Sequence, residues 1–130
     1  EYEIRKLADG ERIALGQVVL EIRHTPGHTP ESMSVVVWER DGDEVPYGVL
    51  TGDALFIGDV GRPDLLSSVG FTSDELATKL YDSLHQQLLV LPDATRVFPA
   101  HGAGSACGKN LSTELTSTIG VSPISSRIEE

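Results

Sequence analysis

Three short segments of this chain share a form that suits metal chemistry. They are Ile22-Arg23-His24-Thr25-Pro26-Gly27-His28-Thr29-Pro30, Val49-Leu50-Thr51-Gly52-Asp53-Ala54 and Val97-Phe98-Pro99-Ala100-His101-Gly102. Each reads as a β-strand that runs into small or turn-forming residues. Gly and Pro release the backbone from a strand ladder at a defined point. A residue at that point can aim its side chain into the crevice at the strand ends, where α/β sheets hold their ligands. Delivered in this way, His28, Asp53 and His101 form a donor set for a divalent cation. Imidazole and carboxylate favour Zn, Fe or Mn over a metal selected by soft thiolates. Taken singly, each residue has a plainer reading. A lone turn histidine is more often a surface or hydrogen-bonding residue, and an aspartate after glycine can close an Asx turn. The joint occurrence of the three segments carries the metal reading. His24, along a strand end, and His85, in a helix beside Leu84, lack such surroundings and read as structural.

Other chemistries fit less well. The stretch Gly102-Ala103-Gly104-Ser105-Ala106-Cys107-Gly108-Lys109-Asn110 follows a strand and resembles a phosphate-binding loop. Its glycine spacing is off by one, however, and Asn110 stands where a Mg²⁺-ligating hydroxyl is needed. No Gly-x-Ser-x-Gly elbow is present. The single cysteine, Cys107, rules out an intramolecular disulfide and a cysteine-rich zinc site. Lys109 beside it favours the thiolate, although an incidental thiol is the plainer account.

The elements that must position these residues follow from pattern. The 130 residues predict one domain with a modest core. Alternation and β-branched residues predict strands over 2–7, 12–15, 18–24, 33–38 and 47–51, with a further short strand over 95–98. Residues 57–71, rich in Gly, Pro and Asp, predict a loop. Thr72 and Glu75 form a capping-box pair. Leu76, Leu80, Leu84 and Leu88 then repeat every four residues as one apolar stripe, up to Pro92. A weaker helix is expected over about 110–118. The formal net charge of −10 argues against binding nucleic acid or anionic membranes. No apolar run is long enough for a membrane span. The start is not a signal peptide, and one cysteine fits a reducing compartment, so a cytoplasmic location is expected.

With these residues in view, the chain resembles the metallo-β-lactamase superfamily. The resemblance lies in His24-Thr25-Pro26-Gly27-His28-Thr29, Thr51-Gly52-Asp53 and Pro99-Ala100-His101-Gly102, in that order. It is closest to the persulfide dioxygenase branch, relatives of glyoxalase II often fused to rhodanese domains. The run from Gly52 to Leu65, with Gly61-Arg62-Pro63-Asp64 after the aspartate, is its most specific stretch. The resemblance implies an α/β (α+β) fold: the second half of an αββα sandwich, with a mixed or antiparallel sheet and one well-marked helix. It covers residues 1–120 as a partial domain, leaving 121–130 as a frayed tail. It implies metal ligation by His28 and Asp53, with His101 at a second metal position in dinuclear hydrolases and near the iron in mononuclear dioxygenases. Arg62 and Asp64 match the catalytic, substrate-side loop. Cys107 and Lys109 would lie at the site mouth, where with Arg62 they could bind a thiol substrate.

One departure from the family pattern matters. Its first metal motif, His-x-His-x-Asp-His, is absent: no His precedes His24. A 2-His-1-carboxylate iron triad would therefore be incomplete, and a catalytic site needs about three ligands in fixed geometry. The expectation is a fragment, inactive alone, that meets a missing amino-terminal half or self-associates. Val18, Leu20, Ile22, Val35, Val37, Val49 and Leu55 are the expected inner face of its sheet. Three functions are expected to compete. A persulfide dioxygenase would use one Fe(II). A glyoxalase II-like thioester hydrolase would use one or two Zn ions. A non-catalytic half-domain would act by association, and its site could be empty of metal.

Overall fold

The computed structural model describes residues 3–56, 59–64, 69–101 and 117–121. Eight strands, one α-helix and two short turns of other helical type follow one another along these residues. The alternating segments form β1 (Arg12–Leu15), β2 (Val18–His24), β3 (Met33–Trp38) and β4 (Gly48–Gly52). Each pairs antiparallel with the next. β5 (Leu55–Phe56) and β6 (Asp59–Val60) make a separate two-stranded ribbon. β7 (Arg96–Pro99) returns parallel to β4, and β8 (Ser117–Thr118) closes the edge antiparallel to β7. The main sheet is thus mixed, in the order β1-β2-β3-β4-β7-β8. A parallel neighbour requires a crossover, and the helix between β4 and β7 provides it.

That helix, α1 (Ser73–Ser83), begins at the expected cap, Thr72, with one half of the capping box formed. Thr72 Oγ1 accepts a hydrogen bond from Glu75 N at 3.2 Å, satisfying one orphan donor of the first turn. Asp74 and Glu75 set negative charge against the positive end of the helix dipole. A π-helical turn over Leu84–Leu88 continues it, marked by Leu89 N donating to Leu84 O at 2.8 Å. Leu76, Leu80, Leu84 and Leu88 are all buried. The last three of these form the core with Val36, Val49, Val97, Ala54, Leu55, Leu91 and Ile119.

Strand register separates the two faces of the sheet. Val36 lies opposite Val49, and both pack under the helix. Val35 lies opposite Ile22 and Leu50, and Val37 opposite Leu20, on the other face. Of the seven residues expected on one inner face, Val49 and Leu55 therefore belong to the helix side. Val18, Leu20, Ile22, Val35 and Val37 form a second apolar face, where Leu50 and Leu15 remain 46% and 59% exposed. The run Met33–Trp38 is apolar on both sides, so its composition carries no parity signal.

Three other expectations are corrected. Residues 3–8 form no strand; Glu11 instead folds back on them, taking Ala8 N on its carboxylate at 3.2 Å and pairing with Arg5. The loop expected over 57–71 contains β6, which is too short for an alternation signal. Ser117 and Thr118, placed at the end of a weak helix, pair instead with Val97 and Arg96, where hydroxyl-bearing residues suit an edge. The remainder of that helix, and the tail over 122–130, lie outside the described residues. Among those described, no helix is long and apolar enough to cross a membrane.

Candidate metal centre

The first site segment leaves β2 at His24 and is pinned to the sheet by a buried hydroxyl pair, Thr25 Oγ1 and Ser34 Oγ, 2.9 Å apart. Gly27 then lies directly on the backbone of α1. Its φ of +153° falls outside the usual range of L-residues, and a Cβ there would overlap Leu80. Ser83 Oγ donates to Pro26 O at 2.7 Å. The helix is therefore the platform from which His28 projects.

The second segment bends at Gly52, where φ is +55° and the β4–β7 register shifts. Thr51 Oγ1 donates to Leu55 O at 2.6 Å and Ala54 N to Thr51 O at 3.0 Å, closing the turn that carries Asp53. The third segment is tied to the second, because Ala100 N donates to Gly52 O at 3.0 Å. His101 follows directly, with its ring 6.1 Å from that of Phe56.

These turns bring three distant residues together. His28 Nε2 lies 3.5 Å from Asp53 Oδ2, and His101 Nε2 lies 3.0 Å from Asp53 Oδ1. The His28 side chain is 26% exposed and that of Asp53 29%. His28 Nδ1 meets the Arg62 carbonyl oxygen. A carbonyl only accepts, so in the neutral ring Nδ1 carries the proton and Nε2 presents its lone pair to the carboxylate. Asp53 Oδ1 is buried and, among the described residues, has no hydrogen-bond donor in spite of its nearness to His101. The angle there does not suit a hydrogen bond.

This arrangement fits a cation. Donors about 2.0–2.2 Å from one ion sit roughly 3–3.5 Å from one another, the range of both contacts. An orphaned, shielded carboxylate oxygen is costly unless something positive shares it. Among the described residues, the side chains do not close into a single cluster of three ligands; the two histidines meet Asp53 in pairs. His24 and His85 stay apart from this centre. His24 Nε2 is 3.0 Å from Leu7 O, and His85 stacks on Tyr81 with Nδ1 2.9 Å from its carbonyl oxygen.

A cavity of about 260 Å³ opens beside His28, lined by Phe56, Arg62, Pro63 and Asp64. Arg62 and Asp64 thus lie next to the candidate ligands. Cys107 and Lys109 lie outside the described residues. Sequence reasoning assigned no role to Phe56, which lines the cavity and lies beside the His101 ring; it falls inside the run from Gly52 to Leu65, where no single residue type marks it. Gly61 was read only as part of a family signature. It is buried, and a Cβ there would overlap the Asp53 carbonyl oxygen.

No family model matches the chain. The chain is 41% identical over 100 residues to an uncharacterized protein of Mycobacterium leprae, covering 77% of this chain and 40% of that one. It is 42% identical over 94 residues to the probable metallo-hydrolase YqgX of Bacillus subtilis, covering 72% and 38%. It is 34% identical over 95 residues to the persulfide dioxygenase ETHE1 of Homo sapiens, covering 73% and 32%. The chain spans about 40% of the length of the first curated relatives it matches. Among solved structures, a metallo-β-lactamase from Staphylococcus aureus superposes with a TM-score of 0.75 at 40% identity, over 89% of this chain and 32% of that one. ETHE1 from Myxococcus xanthus gives 0.62 at 32% identity, over 88% and 40%. TTHA1623 in a di-iron-bound form gives 0.60 at 29% identity, over 95% and 50%.

Proposed function

Because the chain belongs to the metallo-β-lactamase superfamily, we propose that it supplies one half of the metal site of a persulfide dioxygenase-like enzyme. His28 and Asp53 are the ligands, and His101 stands beside them. The convergence of both Nε2 atoms on the two oxygens of Asp53 carries the metal site, and the likeness to ETHE1 favours the dioxygenase. A bound Fe(II) would supply a template and an activator for O₂ and a thiol persulfide.

The protein residues then have separate tasks. Asp53 contributes the negative charge that holds the cation. His28, with its Nδ1 proton committed to a carbonyl, offers only Nε2. Phe56 and Pro63 form the apolar wall of the cavity. The Arg62 guanidinium provides positive charge for an anionic thiol substrate, and Asp64 completes the polar rim.

A second reading has its own support. The approach of His101 to Oδ1 while His28 approaches Oδ2 suits a carboxylate shared by two ions, as in a glyoxalase II-like thioester hydrolase using Zn. A relative carrying the name metallo-hydrolase agrees with it.

Persulfide-dependent O₂ uptake and thioester turnover separate the two, measured on the iron- or zinc-loaded full-length gene product that contains this sequence. O₂ uptake without thioester cleavage is expected; thioester cleavage alone would replace the first reading by the second. The 130-residue chain itself, without His-x-His-x-Asp-His, is expected to turn over neither substrate. A purely associative half-domain would bind no metal at His28 and Asp53.

A further inference from the structure

We propose that the main chain of residues 61–64 is the positioning element of His28, and that Gly61 is the residue on which this positioning depends. The inference deepens the reading of His28 as a metal ligand and rests on it.

The loop reaches the candidate site three times through its backbone. Gly61 N donates to Ala54 O at 2.9 Å, seating Gly61 against the peptide of Asp53. The Arg62 carbonyl accepts from His28 Nδ1. Asp64 N donates to His28 O at 2.7 Å. Ring and main chain of His28 are therefore gripped by residues two positions apart. Pro63 lies between them, and its ring fixes φ, which removes one of the two rotations between the Arg62 carbonyl and the Asp64 N–H.

Gly61 permits this approach. Its φ lies outside the left-handed region, so the requirement for glycine is space. A side chain would meet the Asp53 carbonyl oxygen and the Ala54 backbone, both of which belong to the turn that aims the carboxylate. Pushing the loop off that turn withdraws the Arg62 carbonyl from His28. The ring then loses the partner that selects its tautomer. Such partners of metal-binding histidines typically change metal affinity 10–100-fold.

None of these contacts uses the side chains of Arg62 or Asp64. The loop therefore has two separable roles: its backbone orients a ligand, and its residues Arg62, Pro63 and Asp64 line the cavity.

The experiment compares the 130-residue chain with its Gly61→Ala and Arg62→Ala variants. Co²⁺ binding is followed by visible absorption in competition with a chelator. The His28 tautomer is read from long-range ¹H–¹⁵N correlations of the metal-free protein. Wild type is expected to hold the Nδ1–H tautomer. Gly61→Ala is expected to lose that preference and to weaken Co²⁺ binding by roughly 10–100-fold. Arg62→Ala should leave both unchanged. Wild-type tautomer and affinity in Gly61→Ala, or a loss in Arg62→Ala equal to that in Gly61→Ala, would overturn the proposal. If Gly61→Ala does not fold, the wild-type tautomer decides alone, and an Nε2–H majority refutes the positioning. Failure of wild type to bind Co²⁺ would count against the metal reading, while the tautomer still judges the loop.

Discussion

Asp53 Oδ1 lies 3.0 Å from His101 Nε2 and is buried, yet among the described residues no donor reaches it. A carboxylate held in this way is poised for a cation and is a liability without one. Functional sites commonly give up stability for such readiness. Asp53→Asn should therefore abolish tight Zn²⁺ or Co²⁺ binding while leaving the metal-free fold as stable or more so, by up to about 1 kcal/mol. Calorimetric titration and urea unfolding of the same samples check both parts.

The platform beneath His28 makes a second prediction. Ser83→Ala removes the 2.7 Å hydrogen bond to Pro26 O. Its cost should be about 0.5–1.5 kcal/mol. The loop carrying His28 should loosen with it, so metal affinity falls together with stability. Urea unfolding and metal titration on one preparation would show whether the two losses travel together.

The core under the sheet predicts a larger effect. Leu88 is fully buried in the π-helical turn. Leu88→Ala should cost about 2–5 kcal/mol, the range for deleting a buried leucine. Exposed Tyr81, on the outer surface of α1, should tolerate alanine with a change of about 0.5 kcal/mol or less. Comparing the two urea midpoints checks that this stripe, and not the helix alone, holds the crossover in place.

Acid stability has one identifiable contributor at the other end of β2. Asp9 accepts a hydrogen bond from His24 N at 2.8 Å and further ones from Gln87. The His24 N–H, more than any other group, holds its carboxyl below the ordinary 3.8. A carboxyl lowered on folding stabilises the protein above its unfolded value, and that stability disappears as pH falls through the folded value. Wild type should therefore exceed Asp9→Asn in stability at neutral pH. The gap should close only below about pH 3.8. Urea midpoints of both proteins across pH 2–6 (about four units, spanning free carboxyl values) would show it.

The parts of the fold readable in sequence are those in which one element satisfies its own pattern. Thr72 and Glu75 announce the helix start because the cap is local, and the leucine stripe announces its buried side. The strands at 12–15 and 18–24 follow from alternation and β-branching, and that at 33–38 from β-branching. What escaped depends on a partner strand and not on a pattern of its own. β6 exists because Asp59 and Val60 pair with Phe56 and Leu55, and Ser117 and Thr118 become a strand only because β7 is beside them. In the candidate site, Gly and Pro flag the turns that carry His28, Asp53 and His101. Nothing in the residue types at 61–64 reveals that the backbone of this loop holds His28.

The most direct measurement is a Co²⁺ titration of the 130-residue chain, monitored through the imidazole resonances of all four histidines. Saturable binding that moves or broadens His28 and His101, leaves His24 and His85 in place, and disappears in Asp53→Ala is the predicted result. Binding that leaves His28 and His101 unperturbed, or survives in Asp53→Ala with wild-type affinity, would contradict it.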